Sequence, residues 1–112
     1  MYRYNAELLR IVDGDTIDVL IDLGFNITIK ERVRLYGIDT PEVRTRNLEE
    51  KARGKAASAR LGELLTEHFI IETKIDKRGK FGRLLGIIYA HVDGKLTNLN
   101  EALVQEGHAE RY

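Results

Sequence analysis

Ile27-Thr28-Ile29-Lys30-Glu31-Arg32-Val33-Arg34-Leu35 runs directly into Tyr36-Gly37-Ile38-Asp39-Thr40-Pro41-Glu42, and the reading of this stretch decides the fold. Its first part alternates. Ile27, Ile29, Glu31, Val33 and Leu35 fall on one face and Thr28, Lys30, Arg32 and Arg34 on the other, the period of a half-buried strand. Continued, that period places Gly37 and Asp39 on the apolar face and leaves Arg34 on the opposite one. A carboxylate turned toward a sheet or barrel interior is costly unless it is paired or holds a cation. Pro41, the single proline of the chain, has no N–H for a ladder and biases Thr40 toward extended backbone. The strand must end there, with the Thr40 carbonyl free to act as a ligand. Taken alone, Arg34 to Glu42 fits equally well a plain strand exit that runs into a helix cap.

Upstream, two further strands are expected. Residues 3 to 12 carry Ala6, Leu8, Leu9, Ile11 and Val12, and Asp13-Gly14 supplies hairpin chemistry with φ > 0 expected at the turn. From Asp15 to Asp22 the chain alternates again, with Asp15, Ile17, Val19 and Ile21 opposed to Thr16, Asp18, Leu20 and Asp22. Asp15 therefore leads an apolar row as Asp39 ends one. Gly24-Phe25-Asn26 turns the chain into the opening stretch.

Downstream, Arg44 to Gly54 is charged, interrupted by Asn47 and Gly54, and reads as a loop or a loosely started helix. From Lys55 the spacing becomes helical, with Ala57, Leu61, Leu64 and Leu65 on one stripe. His68 to Ile75 reads as a fourth strand, Asp76 to Gly82 as a basic, turn-rich loop, and Leu84 to Val92 as a fifth strand before an Asp93-Gly94 turn. Asn98-Leu99-Asn100-Glu101 has capping-box spacing and opens a helix through Ala102, Leu103 and Val104 to Gly107. The expected fold is mainly β with helices (α+β). It is a five-stranded OB-type barrel with one helix between strands three and four and a short C-terminal helix, as one domain over residues 1–112.

Composition narrows the functions open to the chain. It has 112 residues, 43% of them hydrophobic, and no cysteine, which excludes disulfide frameworks, thiolate metal sites and thiol nucleophiles. The start, Met1-Tyr2-Arg3-Tyr4, lacks the apolar core of a signal peptide, and no later run approaches the roughly 18 apolar residues of a membrane span. The expectation is a soluble, cytoplasmic monomer without membrane association, or a secreted one if this is a mature form. Lysine plus arginine equals aspartate plus glutamate at 18 each, which argues against binding a polyanion by bulk charge. Local basic clusters remain: Arg44, Arg46, Lys51, Arg53, Lys55 and Arg60, then Lys77, Arg78, Lys80 and Arg83.

A meander of the first three strands would bring the start of strand two and the end of strand three to one edge, so that Asp15 and Asp39 converge. Two carboxylates with the Thr40 carbonyl and water form an all-oxygen site for a hard cation of the Ca²⁺ or Mg²⁺ type. His68, His91 and His108 lack zinc-motif spacing, and Asp18 and Asp22 lie on the opposite face. Arg83, at the base of strand five, could grip phosphate through a planar fork or be only a charged strand end. A cation, two arginines and the free carboxylate of Glu42 together suit phosphodiester hydrolysis, with Glu42 activating water.

Asp13-Gly14-Asp15-Thr16, Arg34 to Glu42, Gly79-Lys80-Phe81-Gly82-Arg83 and Asn100-Glu101-Ala102-Leu103-Val104 follow one another here as they do in the staphylococcal nuclease (thermonuclease) family. The resemblance runs from about Leu9 to Tyr112. It implies an OB-type barrel and a Ca²⁺-dependent nuclease acting on DNA and/or RNA that leaves 3′-phosphate ends. By that resemblance Asp15, Asp39 and the Thr40 carbonyl hold Ca²⁺, Glu42 is the candidate general base, and Arg34 and Arg83 bind the scissile phosphate. Lys80, Phe81 and Tyr112 are the expected substrate contacts. Phe81 stands where the best-known members have tyrosine, which removes a phosphate-directed hydroxyl but leaves a ring able to stack on a base. The sequence stops at Tyr112, short of a further C-terminal helix found in longer relatives. The alternative is a non-catalytic module that binds nucleic acid or a peptide partner, since OB barrels host many activities.

Overall fold

The computed structural model describes residues 2–75 and 84–112. In chain order its elements are β1 (Tyr2–Asp13), β2 (Thr16–Asp22), β3 (Thr28–Leu35), β4 (Ile38–Asp39), α1 (Leu48–Leu64), β5 (His68–Ile75), β6 (Leu84–Val92), β7 (Lys95–Asn98), α2 (Leu99–Gln105) and β8 (Glu110–Arg111). β1, β2 and β3 form the antiparallel meander that their alternation predicts, and β1 also pairs with β5, which pairs with β6. The ring closes through a short parallel ladder between β3 and β6, from Val33↔Leu84 to Leu35↔Gly86. The result is the expected five-stranded OB-type barrel with two helices.

Closure needs backbone to approach side chain. A Cβ on Gly86 would lie 2.8 Å from Val33 Cγ1 and 2.9 Å from Ile71 Cδ1, so only glycine lets β6 come against β3 there. Inward rows from every barrel strand fill the interior: Ala6 from β1, Ile17 and Val19 from β2, Val33 and Leu35 from β3, Ile71 from β5 and Ile88 from β6 are buried. α1 adds Leu61 and Leu64 and α2 adds Leu99 and Leu103 to the same core. Each such side chain contributes about 1.5–3 kcal/mol by leaving water.

Three local expectations are corrected. α1 begins at Leu48, not near Lys55, because Asn47 is its N-cap and accepts from Glu49 N (3.0 Å) and Glu50 N (3.1 Å). Gly54 lies buried inside that helix. The β1–β2 turn does not use a left-handed glycine, since positive φ occurs at Gly24, Phe25 and Asn26 in the next hairpin but not at Gly14. Gly14 is required for space instead, as its Cβ would meet Ala57 Cβ at 2.8 Å and Thr40 Oγ1 at 3.1 Å. In β3 the alternation holds, but only Val33 and Leu35 are buried, and Ile27 (53% exposed) and Ile29 (38%) project past the barrel.

The short strands β4, β7 and β8 follow no alternation signal of their own. β7 is the return arm of a hairpin turned at Asp93 (φ 52°) and Gly94 (φ 79°), where turn chemistry predicts it. β4 and β8 pair with each other, Ile38↔Arg111 and Asp39↔Glu110, which ties the segment after α2 to the strand exit.

Candidate active site

Gly37 decides which side chains meet at that exit. Strict alternation would set Arg34 and Asp39 on opposite faces, but β3 ends at Leu35, and Gly37 at φ +78° turns the chain before Ile38. The face pattern is reset across this left-handed residue, which has no Cβ to strain. The turn is fixed on both sides: Tyr36 N donates to Gly86 O (2.8 Å), and Asn100 Nδ2 donates to Tyr36 O (2.9 Å). Asn100 is 3% exposed, and its Oδ1 also accepts from Ile88 N (3.1 Å). It therefore locks α2, β6 and the turn together, a role beyond the motif position it holds in the sequence.

With the turn in place, Arg34 reaches both acids. Its Nη2 donates to Asp39 Oδ1 (3.2 Å) and to Ile38 O (3.3 Å), and lies 3.6 Å from Asp15 Oδ2. Asp15 is 8% exposed and leads the buried row of β2 as expected. Its carboxylate accepts from Thr16 Oγ1 (3.1 Å) and from Thr40 N (3.2 Å). Thr40 is buried as well, and its Oγ1 has no hydrogen-bond partner among the described residues. Asp13, Asp15, Thr16, Arg34, Asp39, Thr40, Pro41 and Glu42 line one cavity of about 240 Å³.

Glu42 is exposed at the rim of this cavity, and helix packing decides its place. A Cβ on Gly54 would come within 2.7 Å of Pro41 O and 2.8 Å of Glu42 O, so α1 runs hard against the main chain of this segment. Gly14 does the same from the other side, where Ala57 of α1 and Thr40 press on it. The two glycines thus let a helix and a hairpin clamp Thr40-Pro41-Glu42 between them. Neither stands out as a site residue in the sequence, because the need arises from close approach of segments far apart in the chain.

Asp13 lines the cavity too. Burial and the neighbouring Asp15 charge push its carboxyl above the ordinary range, against the opposing charges of Arg44 and Arg32. Asp18 stays on the outer face, as expected, held by the Arg32 guanidinium, whose hydrogen bond keeps the carboxyl below its usual range.

The donor set suits a hard cation. Four acidic residues, Asp13, Asp15, Asp39 and Glu42, line one cavity, the buried Asp15 is answered there by the Arg34 guanidinium at 3.6 Å, and Thr40 Oγ1 is buried with no partner among the described residues. Among the described residues no three His, Cys, Asp or Glu side chains cluster closely enough to hold an ion unaided, so main-chain oxygen and water must complete any coordination sphere.

Two further cavities share lining residues with this one. One of about 470 Å³ is lined by Arg34, Tyr36, Asn98, Asn100, Arg111 and Tyr112 among others, and one of about 380 Å³ by Glu42, Glu50, Arg53 and His108. Tyr112, expected to contact substrate, lies with its ring over the Arg34 guanidinium, 5.1 Å from Cζ to centroid. Lys80, Phe81 and Arg83 lie outside the described residues. No helix among the described residues is long and apolar enough to cross a membrane.

A closed OB-type barrel that gathers an arginine between two aspartates, with a third acid at the rim, belongs to the class of barrels with a carboxylate–guanidinium site. Residues 32–112 match the family described as staphylococcal nuclease homologue, and the chain is a member of that family. It is 40% identical to a micrococcal nuclease of Shigella flexneri over 116 aligned positions, covering 97% of this chain and 59% of that protein. It is 39% identical to endonuclease YncB of Bacillus subtilis over 94% of this chain and 46% of the relative. With a thermonuclease of Staphylococcus intermedius it shares 38% identity over 71% of this chain and 45% of the relative. The chain spans about half the length of these relatives.

Proposed function

We propose that this domain is a Ca²⁺-dependent nuclease that hydrolyses phosphodiester bonds of DNA and/or RNA and leaves 3′-phosphate ends. The observation that carries the reading is the meeting of Arg34, Asp15 and Asp39 in one cavity with Glu42 at its rim. The names of the relatives point the same way.

Among the described residues Nε and Nη1 of Arg34 have no hydrogen-bond partner, so these in-plane donors can take two non-bridging oxygens of a phosphodiester, and the fixed charge answers the charge that builds as phosphorus becomes five-coordinate. Glu42, solvated and unhindered, accepts a proton from the attacking water. The water oxygen bonds to phosphorus and the bond from phosphorus to O5′ breaks. The departing O5′ takes a proton from solvent, and the phosphate stays on the 3′ side. Arg83 is the second phosphate ligand expected from the sequence. A divalent cation, held by Asp15, Asp39 and the Thr40 carbonyl, would supply Lewis-acid polarisation of the phosphoryl group and neutralise its charge.

The test is cleavage of an end-labelled single-stranded oligonucleotide with Ca²⁺, with chelator, and with Ca²⁺ restored, the products being read for 3′-phosphate. Cleavage indifferent to chelator would sink the cation assignment. Binding without cleavage across several divalent cations would make the domain a recognition module.

A further inference from the structure

Tyr112 is held in place by main chain and by its ring. Its N–H donates to Gly37 O (2.9 Å), and the two residues before it pair with Ile38 and Asp39. Arg111 forks onto Glu101 of α2 through Nη1 (2.9 Å) and Nη2 (2.8 Å), and this pair holds the Glu101 carboxyl below its ordinary range. The strand β8 is thus fastened at one side to the turn that orients Arg34 and at the other to a core helix. The Arg34 Cζ lies over the ring that follows, 5.1 Å from its centroid.

The geometry points to Tyr112 as a positioning residue: it holds Arg34 in the orientation needed to bind a phosphodiester, and it does so through the guanidinium rather than by touching substrate. This rests on the nuclease reading of the site. A guanidinium offers its N–H donors in the plane and its π-face above and below. A ring packed against Cζ takes up none of the donors, so Nε and Nη1, which have no hydrogen-bond partner among the described residues, can serve phosphate. It also excludes water from one side and restricts a side chain that otherwise has many rotamers to lose on binding. The in-plane partners of Arg34, Asp39 Oδ1 and Ile38 O, aim the Nη2 edge, and the ring fixes the tilt about that edge. No other aromatic ring among the described residues stacks on Arg34.

The contact is exposed, with Tyr112 84% accessible, so its effect is modest. Tyr112→Leu is expected to lower kcat/KM on a single-stranded oligonucleotide by about two- to fivefold, the size of a cation–π contact at an exposed site. Tyr112→Phe, which keeps the ring, recovers most of the loss. The same penalty appears on an oligonucleotide with abasic sites flanking the cleaved bond, and it vanishes in an Arg34→Gln background. In the protein alone, the Arg34 Nε–H resonance in a ¹⁵N correlation spectrum carries a ring-current shift that Tyr112→Leu removes. A penalty confined to substrates with bases would overturn the inference and make Tyr112 a base contact. An Arg34 resonance unmoved by Tyr112→Leu would overturn it with no reference to cleavage, so failure of the nuclease reading and failure of this one are read separately.

Discussion

Gly54 of α1 and Glu42 at the cavity rim are in contact through backbone: a Cβ at position 54 would lie 2.8 Å from Glu42 O and 2.7 Å from Pro41 O. Elsewhere in a helix, Gly→Ala stabilises by about 1 kcal/mol. Here the intruding methyl has only main chain to push against. Gly54→Ala is therefore expected to destabilise by about 1–3 kcal/mol in chemical denaturation and to lower cleavage by moving Glu42. A more stable, fully active variant would show that the segment yields freely.

The two aspartates differ in what they support. Asp15 is buried and accepts from Thr40 N, so Asp15→Ala strands a buried N–H and should cost about 1–3 kcal/mol in stability in addition to weakening Ca²⁺ binding. The Asp39 side chain is 57% exposed, and Asp39→Ala should weaken Ca²⁺ binding with little loss of stability. Calorimetric titration with Ca²⁺ beside urea denaturation separates the two effects. Equal stability losses would contradict the assigned environments.

Glu42 is exposed and supports no core contact. Glu42→Gln should lower kcat by about 10² to 10⁴, the range for loss of a general base, while the melting temperature stays within a degree or two of the parent. Retention of full activity would remove Glu42 from the mechanism.

Acid should loosen the helix pair. Arg60 of α1 forks onto Glu106 just past α2, and this hydrogen bond holds the Glu106 carboxyl below its ordinary range, with Glu63 adding a second partner for Arg60. A carboxyl whose pKa is lowered on folding stabilises the folded state above its unfolded pKa, and that contribution is lost as pH falls through the folded value. Glu106→Gln should therefore be less stable than the parent at neutral pH, and the gap should close below about pH 4. Thermal unfolding of both proteins from pH 7 downward measures it. A gap that persists at low pH would assign the effect to packing.

Periodicity and turn residues were enough to place the barrel. The alternation in β2 and β3, the apolar runs of β5 and β6 and the helical stripe from Ala57 to Leu65 each follow from burying one face, which any chain with that pattern must do. The start of α1 was hidden because its first turns face solvent and carry charge, so that only the Asn47 cap marks them. The capping spacing at Asn98 proved half right. Its side chain accepts from Glu101 N (3.1 Å), while the Glu101 carboxylate is given to Arg111.

The types of residue at the site, two aspartates, a threonine, a glutamate and arginines, could be read from the sequence because their chemistry limits what they can do together. Their alignment could not. Whether Arg34 meets Asp39 depends on the left-handed turn at Gly37, and where Glu42 stands depends on α1 touching it through Gly54. Tyr112 reaches Arg34 because β8 returns to pair with β4, a ladder of two residue pairs too short to leave a pattern. A period of two or 3.6 is a property of neighbours along the chain, and so the sequence carries it. Contacts such as Gly54 with Glu42 and Tyr112 with Arg34 join segments that only the closed barrel brings together, and the physical requirement they satisfy exists only once it has folded.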